Sequence, residues 1–136
     1  MSLTPLLSAP AVIQLHAFAA MGAFVLGIVQ FTAPKGTIPH RTVGWIWVAL
    51  MTIVAVSAFF IHNPRGWGLW GLFGPIHLLA ILVLVLLPIA VGYARNHRVS
   101  GHSKTMIGLF LGALLVAGAF TFLPGRIMHA VAFGGG

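Results

Sequence analysis

The chain has no aspartate, no glutamate and no cysteine, and only 5% of its 136 residues are charged. Each absence excludes a class of chemistry. Without a carboxylate side chain there is no glycosidase pair, no acid to complete a catalytic triad and no acidic cage for calcium. Without cysteine there is no disulfide, thiolate nucleophile, iron–sulfur cluster or Cys-type zinc site. Charge this sparse cannot build a soluble surface, because soluble domains give about 25% of their positions to charged residues. The side-chain chemistry that remains rests on seven histidines, seven Lys and Arg, amides and hydroxyls.

Apolar residues fill 60% of the sequence, against the roughly 45–50% usual for soluble domains. The basic residues lie between long apolar runs instead of clustering on one polar face, so they read as membrane topology and exclude nucleic acid as a partner. Four runs approach the ~20 helical residues a bilayer needs: Ala11–Phe31, Thr42–Ile61, Leu72–Tyr93 and Thr105–Leu123. A short amphipathic tail, residues 124–133, follows. The first run lacks a basic stretch before it and exceeds the roughly 7–15 apolar residues of a signal peptide, so it reads as a retained span. Pro88 inside the third run is expected to bend it. The connections are short, which predicts one all-α domain, an integral-membrane up-down four-helix bundle in a lipid bilayer.

Lys and Arg counts set the expected orientation. Lys35, Arg41, Arg95, Arg98 and Lys104 fall on the side of loops 1–2 and 3–4, and Arg65 and Arg126 on the other. That places both termini outside, in the periplasm of a bacterial inner membrane. Trp45 and Trp47 are expected at one interface and Trp67 and Trp70 at the other. In span 1, His16, Ala20, Ala23, Gly27 and Gln30 recur at alternating four- and three-residue steps, which predicts the bundle-facing stripe; Gln30 there reads as an interhelical hydrogen bond. Gly108 and Gly112 form a small-xxx-small step for helix packing, and a possible homo-oligomer contact.

The histidines divide by side. His16, His62, His77 and His129 fall toward the outer face, one from each span or its extension; His40, His97 and His102 fall in the basic loops. His16 and His77 each lie one and a half turns inside their runs, roughly 7–8 Å below the interface. A polar side chain at that depth is costly and marks function by default. On diagonal helices with axes about 11–14 Å apart, the pair could ligate the iron of a haem between them, with Arg65 and Arg126 on its propionates. Alternatively, His16, His62, His77 and His129 could converge on one transition-metal ion such as zinc or copper. His40, His97 and His102 read as topology or lipid-headgroup residues, or as part of a quinone site near Trp45 and Tyr93.

His16, the element His40-Arg41-x-x-Gly44, His77, and His102-x-x-x-Met106, in that order, resemble a bacterial family of membrane proteins catalogued as domain of unknown function 2306. Pro124-Gly125-Arg126-Ile127-Met128-His129 also looks like that family, and the likeness runs from about Leu3 to Phe133. Ser103 after His102 departs from the Arg the resemblance implies. The family likeness implies a small four-helix inner-membrane protein and no activity. In architecture alone the chain is similar to four-helix membrane cytochromes of the b type, and fold does not fix function.

Three readings stay open. The first is a b-type haem electron-transfer protein with His16 and His77 as ligands, serving quinone or a respiratory complex, and so an oxidoreductase in the sense of an electron carrier. The second is a histidine-based metal-ion protein, and the third an accessory or structural subunit of a larger membrane complex. A transporter is disfavoured, since so few intramembrane polar residues offer little pathway.

Overall fold

The computed structural model describes residues 2–61, 75–123 and 126–134. Among these the chain is all-helical, and four helices are long and apolar enough to cross a membrane: Ala11–Thr32, Ile38–Ala58, His77–Arg95 and Val99–Phe120. We refer to them as spans 1 to 4. Two short helices, α1 (Thr4–Leu7) and α2 (Ile127–Phe133), accompany them.

The ends of the spans follow from local chemistry. Span 1 starts after Pro10 and stops where Ala33, the residue before Pro34, turns extended at ψ 150°, as proline forces on its predecessor. Span 2 is capped by Thr37, whose hydroxyl accepts the His40 backbone N–H, with a proline in its first turn, an arrangement that suits a helix start. It therefore begins at Ile38, earlier than the apolar run, and ends at Ala58. Spans 3 and 4 are joined by only Asn96, His97 and Arg98, and His97 makes this tight turn at φ 56°. Span 4 starts at Val99 instead of Thr105, because the polar stretch up to Lys104 is itself helical. Span 3 remains helical through Pro88.

Span 1 packs against span 2 and against the middle of span 4, and span 3 packs against span 2 and span 4. Spans 1 and 3 make no Cα approach within 8 Å among the described residues, so they lie across the bundle from each other. The span 1 stripe is borne out: Ala23 and Gly27 are buried, and His16, Ala20 and Gln30 half-buried. Gly27 is there because of Phe110. A Cβ at Gly27 would sit 2.5 Å from the Phe110 ring, which stacks on Phe24 at 5.5 Å and meets Phe31 edge-on at 5.0 Å.

Two expectations are corrected. Trp47 is not an interface residue: it is 2% exposed, and its indole N–H donates to the Ala23 carbonyl at 2.9 Å. A buried indole needs such an acceptor. Trp45 is exposed, while Trp67 and Trp70 lie outside the described residues. Gly108 and Gly112 are exposed, and a Cβ on either would meet nothing within 4 Å. They thus form no packing step inside the bundle.

Span 4 also holds a feature the sequence does not announce. Leu109–Val116 is wound as a π-helix, whose i→i+5 bonds are rare over such a length. Leu109, Phe110 and Leu114 are its buried residues. The short helices pack on each other, and α1 also touches span 1. Leu6 of α1 is fully buried, Val131 of α2 nearly so, and the Ser2 N–H donates to the Val131 carbonyl at 3.1 Å.

Candidate functional site

The polar residues gather at two ends of the bundle. At one end, the start of span 1 meets the end of span 2 through His16 Nδ1 and Ser57 Oγ, 2.9 Å apart. Ser57 is buried and its hydroxyl donates to the Val54 carbonyl at 3.1 Å. His16 also bonds to the Val54 backbone, so imidazole, hydroxyl and carbonyl form one local cluster. His77, at the start of span 3, is 5% exposed. Its ring lies 5.9 Å from that of Phe59, tilted by 50°. Both imidazoles therefore reach the same last turn of span 2, from spans that do not touch each other.

The buried residues around them are small. Ala19 on span 1, Ala55 and Ala58 on span 2, and Ala80 on span 3 are all buried. Short side chains let helices approach closely in lipid, where packing replaces the hydrophobic drive. Ser57 is the site residue that sequence reasoning missed. Its signal was available: it is the one hydroxyl in the apolar stretch from Ile53 to Ile61, and a hydroxyl in hydrocarbon needs a partner.

Of the other predicted residues of this end, Arg126 and His129 are described. Arg126 is exposed at the start of α2. His129 stands on α2 with its ring 5.0 Å from Phe133. His62 and Arg65 lie outside the described residues. Among the described residues no group of three or more His, Cys, Asp or Glu side chains is placed to hold a metal ion.

The opposite end is basic. The Gln30 amide donates to the His40 carbonyl at 2.8 Å, the interhelical bond expected of it. His102 Nδ1 lies 2.9 Å from the Ala90 carbonyl, tying the start of span 4 to the end of span 3. Lys35 and His102 lie within electrostatic reach of His40. The Lys35 ammonium donates to the Gln30 and Ala33 carbonyls. Arg41, Arg95, Arg98 and Lys104 are exposed.

Against this geometry, a family model described as a predicted membrane protein of unknown function, DUF2306, matches residues 13–132. The chain belongs to the DUF2306 family. The match takes in all four spans and most of α2, so the architecture just described is that of a DUF2306 protein over nearly its whole length. No curated protein and no solved structure matches the chain. Whatever this DUF2306 member does must therefore be argued from its own residues.

Proposed function

We propose that the protein is a small electron-transfer protein of the bacterial inner membrane, an up-down four-helix bundle that holds a b-type haem between His16 and His77. The observation that carries the reading is the His16–Ser57 pair: an imidazole inside a membrane span held 2.9 Å from a buried hydroxyl. Ligating histidines are commonly oriented by such a bond from their second nitrogen. His77 supplies the partner imidazole from the span across the bundle.

The donor set favours haem over a bare ion. His16 and His77 would hold the iron of a haem through their imidazoles. A protein-bound zinc wants three or four ligands, and the described residues offer no such group. Bound there, a haem would supply one-electron chemistry at its iron. The protein's part is to orient the two rings, His16 through Ser57 and His77 beside Phe59. Acid competes for the lone pairs, so lowering the pH is expected to release the group. Arg126, exposed on the same side in this reading, is the described cation available to a propionate.

Orientation belongs to the same proposal. Five of the seven Lys and Arg sit at the basic end, as Lys35, Arg41, Arg95, Arg98 and Lys104. The excess of positive charge in short loops supports a cytoplasmic position for that end, with the termini and the histidine pair on the periplasmic side.

The test is a haem titration of the detergent-purified full chain beside its His77→Ala variant, with elemental analysis of both. Saturable binding of one haem by the unaltered chain, lost in the variant, is the expected result. Equal binding by both overturns the ligand assignment. Stoichiometric zinc or copper in the unaltered chain, with no haem taken up, replaces it with a metal-ion reading.

A further inference from the structure

An open groove of about 720 Å³ lies where span 3 hands over to span 4, lined by Ile89, Gly92, Tyr93, Asn96 and Arg98. We propose that it binds the headgroup of an anionic phospholipid, with the Arg98 guanidinium on the phosphate and Ile89 against the start of an acyl chain.

The groove is built by one helix face and one tight turn. Ile89, Gly92, Tyr93 and Asn96 are spaced three, four and seven residues apart, so they share a face of span 3. Gly92 leaves the middle of that face open, since a Cβ there would meet nothing within 4 Å. Tyr93 is held as a wall by span 4: a Cβ at Gly101 would come within 2.9 Å of its ring. The Asn96 amide is fixed on the Gly92 carbonyl at 2.8 Å. The left-handed His97 then turns the chain so that the Arg98 N–H donates to the Tyr93 carbonyl at 2.8 Å, which sets Arg98 at the mouth.

Position and charge name the occupant. Span 3 ends at Arg95 and span 4 starts at Val99, so the mouth lies at the boundary of the hydrocarbon and the floor at Ile89 lies within it. The lining passes from apolar to polar in the same direction, as a lipid does from chain to headgroup. The chain contains no Asp or Glu, so no acidic side chain can neutralise Arg98, and the neighbouring Arg95 and Lys104 raise the positive potential. Basic sites between spans on the cytoplasmic side select anionic lipids on these grounds, and Arg grips a phosphate with two parallel hydrogen bonds. The inference takes the cytoplasmic orientation from the proposed function but not the haem, because the groove lies at the other end of the bundle from His16 and His77.

The experiment is native mass spectrometry of the detergent-purified full chain titrated with phosphatidylglycerol, with phosphatidylcholine, or with inorganic phosphate. The unaltered chain is expected to retain phosphatidylglycerol in preference to phosphatidylcholine. Arg98→Gln should weaken that retention about fivefold. Gly92→Leu, whose Cβ would meet nothing within 4 Å and whose side chain extends into the groove, should abolish saturable binding while the helical content stays unchanged. Arg41→Gln removes an exposed charge from the same end outside the groove and should retain the lipid as before. Equal losses in Arg41→Gln and Arg98→Gln, or unaltered binding in Gly92→Leu, would overturn the site in favour of diffuse attraction. Inorganic phosphate bound as tightly as phosphatidylglycerol would overturn the lipid assignment in favour of a free-anion site.

Discussion

The two ends of this bundle use the same residue type in opposite ways. At one end His16 and His77 are drawn in among alanines, Ser57 and Phe59. At the other, His40 and His102 stand among Lys35, Gln30 and backbone carbonyls, with exposed arginines around them. Among apolar groups an imidazole is costly unless it is bonded; beside cations and carbonyls it serves as a tie between helices and as part of a positive surface. Place in the bilayer, more than residue type, decides which role a histidine takes.

Substitutions can break or sharpen that contrast. The largest effect is expected from His16→Ala, which should abolish haem retention. His102→Ala at the basic end should leave it intact, losing only a bond to the Ala90 carbonyl. Haem per protein after purification reads both, and equal loss in the two would erase the distinction. Ser57→Ala comes next. It removes the group that orients His16 without removing the ligand, so haem affinity should fall about 10–100-fold, measured by titration.

The wall between the two ends can be tested by stability. Gly27→Leu drives a side chain into Phe110 and should destabilise the bundle by about 1–3 kcal/mol. Gly112→Leu, which points at open space, should change it by no more than about 0.5 kcal/mol; thermal unfolding in detergent compares them. A smaller loss than that of Gly27→Leu is expected from Trp47→Phe, which keeps the ring in the core and loses the hydrogen bond to Ala23. About 0.6 kcal/mol is usual for such a bond in a membrane bundle, and the same melting experiment resolves it.

How far the sequence reaches can be seen at particular residues. The four spans and the inward stripe of span 1 are legible because length, hydropathy and a helical repeat of small and polar residues are all one-dimensional signals. Gly108 and Gly112 carry a packing pattern yet face outward. In lipid both sides of a helix are apolar, and small size alone does not tell an inner face from an outer one. Trp47 fits an aromatic belt as well as it fits a core position. Only the carbonyl of Ala23, 24 residues away, decides between them. The π-wound Leu109–Val116 is uniformly apolar apart from Gly112, so no periodicity marks it. For the candidate site, His16 and His77 were readable as histidines at costly depth. Ser57, which orients one of them, depends on a contact between spans that the linear pattern does not encode.

The most direct test of the central claim is the dithionite-reduced minus air-oxidised absorption spectrum of the purified protein from cells supplied with haem precursor. A haem held by two histidines predicts a Soret band that shifts on reduction together with a sharp α band. A flat difference spectrum from protein that is folded and helical would contradict the account.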